Sequence, residues 1–225
     1  MISRASLFAL ALGLSAAPAT AATLDAPAAK TRIDATLDRV YPALDALYKD
    51  LHAHPEVGFQ EVRTAKVLAA QMRKLGFEVT EGVGKTGIVA IYRNGPGPTV
   101  MVRTELDGLA MQEKTGLSYA SSYRQTIDGQ PTYTMHSCGH DVHMAWWVGT
   151  AQALLAMKDA WSGTLMFVGQ PAEEPVTGAK AMVDDGLFTR FPKPDFAFAA
   201  HVSPLAVGVV DRKSTRLNSS HSKQS

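Results

Sequence analysis

Cys138 and His140 stand two residues apart across Gly139, within the run Met135-His136-Ser137-Cys138-Gly139-His140-Asp141-Val142-His143. A thiolate and an imidazole at that spacing can turn toward one centre if the backbone makes a tight loop, and glycine removes the side chain that would crowd it. His136 and His143 add imidazoles nearby, so metal binding and ordinary helix capping both stay open on spacing alone. Glu173 and Glu174 close a second run, Gln170-Pro171-Ala172-Glu173-Glu174. Adjacent carboxylates can divide labour, one holding a metal while the other moves protons; a solvated acidic turn is the alternative. Asp107 and His201 complete the set of groups that could do chemistry.

Three of these groups follow apolar segments that read as strands. Thr99 to Arg103 precedes Asp107, Thr164 to Gly169 precedes Glu173, and Phe196 to Ala200 precedes His201. Ligands of α/β sheets collect outside the carboxyl ends of strands, so these addresses are favourable. Cys138 and His140 lead instead into Asp141 to Met157, which is apolar on more than one side and reads as a largely buried helix.

The remaining elements follow from periodicity. Phe77 to Thr80 and Gly87 to Tyr92 are two further strands, and Asn94 to Pro98 is a turn. Apolar residues from Ile33 to Leu51 mark one helix face, with Pro42 predicting a short opening turn and then a helix from Pro42 onward. A second helix is predicted over Glu61 to Leu75, burying Val62, Ala65, Leu68, Met72 and Leu75 and stopped by Gly76, and a short one over Ala179 to Asp185. Residues 110–135 read as surface loops, and Leu205 to Val210 as a buried strand. Gly84-Lys85-Thr86 resembles the end of a phosphate-binding loop, but the required first glycine is Val79, so a turn is expected there. The alternation predicts an α/β fold, a mainly parallel central sheet flanked by helices.

With 225 residues, 46% of them hydrophobic, the chain can form one sizeable α/β domain. Arg4, the apolar stretch Ala5 to Ala17 and Ala19-Thr20-Ala21 have the form of a signal peptide over residues 1–21, predicting a periplasmic or secreted product without a stable membrane anchor. Residues 22–32 read as a flexible Ala/Pro-rich leader and 33–210 as the folded domain itself. Residues 211–225 carry five serines and four basic side chains around Leu217, a composition that cannot form a core and reads as a non-native tail. The formal charge is +1. Setting aside both ends leaves a mildly acidic chain with no basic patch for nucleic acid. Cys138 is the one cysteine, which excludes an internal disulfide framework.

The sequence resembles the M20 metallopeptidase family, in its amidohydrolase branch of hippurate, N-acyl-amino-acid, aminobenzoyl-glutamate and auxin-conjugate hydrolases. The resemblance rests on Leu51-His52-Ala53-His54-Pro55-Glu56, Arg103 to Leu109, Met135 to His143, Gln170 to Glu174 and His201-Val202-Ser203-Pro204, in that order over residues 34–210. It departs from the branch at Glu105, where Asp is more frequent, and at Ala110, which replaces a proline.

The resemblance implies a zinc-exopeptidase-like catalytic domain with two divalent metal ions, Zn²⁺ first, with Mn²⁺, Co²⁺ or Ni²⁺ compatible with mixed S/N/O ligation. Cys138, His140, Glu174 and His201 would be metal ligands. Glu173 would be the general base, taking a proton from water and passing it to the leaving amine. Asp107 would orient a histidine or tune the site, and His52 and His54 would shape the domain. The implied reaction is hydrolysis of the amide of an N-acyl or N-aroyl amino acid. Alternatives are carboxypeptidase action on short peptides, a non-catalytic metal-binding domain of the same fold, and a cysteine hydrolase using Cys138. The resemblance ends near Val210, so the chain is expected to stop before an inserted lid and dimerisation domain, through which a full-length homodimer would form, and to be inactive alone.

Overall fold

The computed structural model describes residues 25–206 and Val209. The expected signal segment and tail, and Val207, Gly208 and Val210 of the expected last strand, lie outside the described residues; Leu205, its first residue, is exposed and in no strand.

The chain opens with α1 (Ala26–Ala53) and α2 (Val62–Lys74), followed by β1 (Glu78–Val83), β2 (Gly87–Asn94) and β3 (Thr99–Glu105). A hairpin, β4 (Arg124–Ile127) and β5 (Gln130–Tyr133), precedes α3 (His140–Ala156). Then come β6 (Gly163–Gln170), α4 (Gly178–Asp184) and β7 (Phe196–Ala199). Five strands form one sheet in the order β1-β2-β6-β3-β7, with β6 at the centre.

The sheet is mixed, not mainly parallel. β1 pairs antiparallel with β2 and β2 with β6, whereas β3 runs parallel to both β6 and β7. The cause lies in the connections. A parallel crossover needs a dozen or more residues, but three residues join β1 to β2 and four join β2 to β3. Gly84-Lys85-Thr86 makes the first of these turns, with Gly84 and Lys85 at φ +62° and +85°.

Both faces of the sheet are covered over β2 and β6, which is why those strands read as apolar runs, whereas every residue of the edge strand β7 is exposed. On one face Ile88, Ala90, Leu165 and Phe167 pack with Leu51, Leu68, Met72, Met144 and Trp147 of the three long helices. On the other, Val89, Ile91, Met166 and Val168 pack with Met182 and Leu187. Trp147 Nε1 donates to Val102 O at 3.0 Å and ties α3 to β3.

Three local expectations change. Pro42 lies inside a continuous α1, because the position and Asp38, whose carbonyl loses its partner, both face solvent. The same helix begins at Ala26, so residues 26–32 are not a separate leader; Arg32 bonds Asp159 and the carbonyl of Ala156 at the far end of α3. Val62 is exposed at the mouth of α2, while Ala65, Leu68 and Met72 are buried as expected.

Residues 110–135 are not all loop. Asp128 and Gly129 take φ +50° and +77° and turn β4 into β5. Asp-Gly is a strong hairpin signal, overlooked because the flanking residues are polar. Gln125 Oε1 accepts the Val57 amide at 2.6 Å and anchors this hairpin to the α1–α2 loop. No helix among the described residues is long and apolar enough to cross a membrane.

Candidate metal centre

Because β6, β3 and β7 are mutually parallel, their carboxyl ends lie side by side at one edge of the sheet. Asp107 leaves β3, Glu173 and Glu174 follow β6, and His201 follows β7. The start of α3 closes the cluster from above. Gly139 caps that helix in the left-handed region at φ +83°, folding Cys138 back over His140. A Cβ at this position would lie 2.6 Å from Val202 Cγ2, so only glycine lets the His201 segment approach.

The cluster has the chemistry of a divalent-metal site. Cys138, His140 and His201 offer ligand atoms all within 4.8 Å of one another, and so do His140, Glu173 and Glu174. His140 belongs to both sets. Its Nδ1 donates to the main-chain oxygen of Asp107 at 2.7 Å, so Nε2 carries the lone pair. That Nε2 lies 3.8 Å from Glu173 Oε2 and 4.0 Å from Glu174 Oε1. His201 is arranged alike: Nδ1 donates to Val202 O at 2.6 Å, and Nε2 faces Cys138 Sγ at 3.5 Å.

The orphaned atoms test the fit. His140 Nε2, Glu174 Oε1 and Asp107 Oδ1 are buried without a hydrogen-bond partner among the described residues. Stranding one such group costs roughly 1–3 kcal/mol, so three in one cluster call for a common partner. A cation held by nitrogen, oxygen and sulfur donors satisfies them together.

Electrostatics agree. Burial, aided by Glu174 and Glu173, pushes the Cys138 thiol up to about 11, so a cation is needed to hold it as thiolate. Burial also raises the Glu174 carboxyl against the opposing pull of His140. For His140, burial disfavours the charged form, but Asp107 and Glu105 outweigh it and leave its pKa raised.

Asp107 acts on two neighbours. Its carbonyl accepts the hydrogen bond from His140 Nδ1, and its Oδ2 accepts the Glu174 amide at 3.0 Å. His52 and His54 stand apart from the cluster. His52 bridges Asp141 at 2.6 Å and Glu113 at 3.1 Å, tying α1 to the start of α3.

Two residues beside the centre escaped sequence reasoning as participants. His143 Nδ1 lies 3.0 Å from Glu105 Oε2, and its Nε2 accepts the Val202 amide at 2.9 Å. Glu105, His140 and His143 could on distance alone hold a metal too. The Val202 bond occupies the His143 Nε2 lone pair, however, so His143 secures the backbone beside His201. Glu105 is paired in turn with Arg103. The spacing of His143, three residues after His140 on a helix, is the signal that placed both on one face. A cleft of about 430 Å³ opens over the cluster, lined by Arg103, Glu105, Cys138, Glu173, Glu174 and His201 among others.

A cluster of sulfur, imidazole and carboxylate donors at the carboxyl edge of an α/β sheet defines a class of candidate metal-site folds, and comparison gives the family. Residues 101–213 match Peptidase family M20/M25/M40, and the chain belongs to that family. It is 39% identical over 159 residues to the hippurate hydrolase of Campylobacter jejuni, covering 68% of this chain and 38% of that protein. It is 38% identical over 159 residues to thermostable carboxypeptidase 1 of Saccharolobus solfataricus, covering 69% and 38%. The fold matches a Bacillus subtilis dinuclear metal binding peptidase from the M20 family with TM-score 0.64 and 34% identity, over 74% of this chain and 44% of that one. The chain thus spans less than half the length of these relatives.

Proposed function

We propose that the protein hydrolyses the amide of N-acyl or N-aroyl amino acids at a site built for two divalent metal ions, as a member of the amidohydrolase branch of its family. The observation that carries this reading is the convergence of three buried atoms, His140 Nε2, Glu174 Oε1 and Asp107 Oδ1, that have no hydrogen-bond partner among the described residues, beneath one open cleft. Cys138, His140, Glu174 and His201 are the ligands in this reading, and Zn²⁺ suits their mixed donors, with Mn²⁺, Co²⁺ and Ni²⁺ as competitors.

Bound metal supplies Lewis acidity, polarising the amide carbonyl and making water a better nucleophile. The chain's own residues do the rest. Glu173 reaches the cleft with a third of its side chain exposed, free to accept the proton of the attacking water and return it to the leaving amine. Asp107 fixes the proton of His140 on Nδ1 and holds the Glu174 amide, so both ligand atoms are aimed before substrate arrives. The cleft volume falls in the range of small-molecule sites. The apolar segment at residues 5–17 supports export to the periplasm or beyond.

Hippurate is the simplest probe, being named in a relative. The expected result is hydrolysis by the whole protein that depends on added Zn²⁺, Mn²⁺ or Co²⁺ and stops with a chelator. Turnover that survives metal removal and is abolished by a thiol alkylator would instead establish a Cys138 nucleophile. The raised thiol pKa argues against that outcome. Release of C-terminal residues from short peptides, without hippurate cleavage, would favour the carboxypeptidase alternative.

A further inference from the structure

Glu61 is fully buried, stands at the start of α2, and makes no cap bond to that helix. The capping is done by Glu56, whose Oε1 and Oε2 accept the amides of Arg63 and Thr64 at 3.1 and 2.7 Å. Glu61 is thereby free to point elsewhere. Its Oε1 accepts the Ala172 amide at 2.7 Å, and its Oε2 accepts the Thr86 hydroxyl at 2.5 Å. One carboxylate so joins α2, the β1–β2 turn and the segment that follows β6.

Ala172 is where that segment bends. It sits in the left-handed region at φ +45°, a conformation that costs a non-glycine residue on the order of 1 kcal/mol and needs outside support. Its carbonyl accepts the amides of Thr177 and Gly178 at 3.3 and 3.0 Å, closing the loop that carries Glu173 and Glu174. The α1–α2 loop lies directly beneath, since a Cβ on Gly58 would come within 3.1 Å of Ala172 Cα. Among the described residues no other acceptor takes the Ala172 amide.

We propose that Glu61 is a positioning residue for the paired carboxylates: held by Thr86, it fixes the bend at Ala172 and so sets where Glu173 and Glu174 project. This rests on the roles proposed above for those two residues. A carboxylate with no solvent contact is costly to bury, and burial indeed pushes its pKa up, against the hydrogen bonds from Thr86 and Ala172. An apolar residue would fill the space at less cost but leave the Ala172 amide unpaired.

The test uses the whole 225-residue chain with Co²⁺ alone as the metal probe, and hydrogen exchange of the Ala172 amide as a readout that needs no metal. In Glu61→Leu, Ala172 exchange should rise and Co²⁺ affinity fall, each by about tenfold, while β6 amides keep parental exchange. Glu61→Gln retains a carbonyl acceptor and should stay within about twofold of the parent in both readouts. Parental Ala172 exchange in Glu61→Leu overturns the proposal. So does parental Co²⁺ affinity in Glu61→Leu when a Glu174→Ala control has lost binding. A Glu174→Ala control that binds Co²⁺ like the parent shows instead that the ligand assignment beneath the proposal has failed. If Glu61→Leu does not fold, Thr86→Val decides: about threefold faster Ala172 exchange supports the proposal, and no change overturns it.

Discussion

His140 Nδ1 lies 2.7 Å from the main-chain oxygen of Asp107, and this bond decides which nitrogen of the ring can face a metal. A side-chain substitution at Asp107 leaves that carbonyl in place but removes the acceptor of the Glu174 amide. Asp107→Ala is therefore expected to weaken metal binding less than His140→Ala, which removes the shared member of both ligand sets. Zn²⁺ competition titrations of the two variants against the parent check the order.

Glu173→Gln should retain bound metal while losing most turnover in the whole protein, on the order of 10²-fold or more, because it removes the proposed base. Glu174→Ala should lose metal itself, since it removes the proposed ligand oxygen Oε1, which is buried without a hydrogen-bond partner among the described residues. Metal per chain, measured by atomic emission beside hippurate rates, separates the two. Equal metal loss in both variants would contradict the assigned division of labour.

Gly139→Ala forces a left-handed alanine and drives its Cβ to 2.6 Å from Val202 Cγ2. The strain alone is about 1–2 kcal/mol. The larger effect should be on the metal: Val202 is displaced and carries His201 with it, so Co²⁺ affinity should fall further than stability does. Urea melts and Co²⁺ titration of the same sample test this.

His52 gives the protein a pH dependence away from the metal. The Asp141 hydrogen bond is the largest influence on its pKa and, with help from Glu113, raises it above 6.5 despite burial. Glu113 has its pKa lowered below 4.5: burial opposes this, but Thr115, the Ser121 amide and His52 prevail. A raised histidine stabilises fully below its unfolded value and loses that contribution as pH rises through the folded one; a lowered carboxylate loses its contribution as pH falls. The cluster should therefore stabilise most between about pH 4.5 and 6.5. The difference in melting temperature between parent and His52→Phe should be largest in that window and shrink by pH 8.5.

Phe167 is fully buried at the centre of β6, packed edge-on against Phe77 and Trp147. Phe167→Ala should cost roughly 3–5 kcal/mol, since the sheet between two helical layers cannot collapse into the space. Chemical denaturation of the metal-free chain measures it.

Much of the framework was legible in the sequence because it depends on local pattern. The apolar runs at Thr99 and Thr164 became β3 and β6, the Glu61 to Leu75 periodicity became α2, and Cys138-Gly139-His140 marked the turn into α3. The residue types of the cluster were readable in the same way, since sulfur, imidazole and carboxylate donors announce their chemistry by identity. The β4–β5 hairpin was legible too, through Asp128-Gly129, but its polar flanks hid it.

Only the tertiary structure decided the rest. Strand direction follows from how many residues are available to cross the sheet, and strand order from which apolar faces meet; neither is a property of one segment, so the mixed sheet with β6 between β2 and β3 had to be seen. The same holds for the supports of the site. Glu61 meets Ala172 across 111 residues, and His143 meets Val202 across 59. A carboxylate or imidazole in sequence shows that it can accept a hydrogen bond. Which distant amide it accepts is set by packing, because a buried polar group must take whatever partner the fold brings within 3 Å.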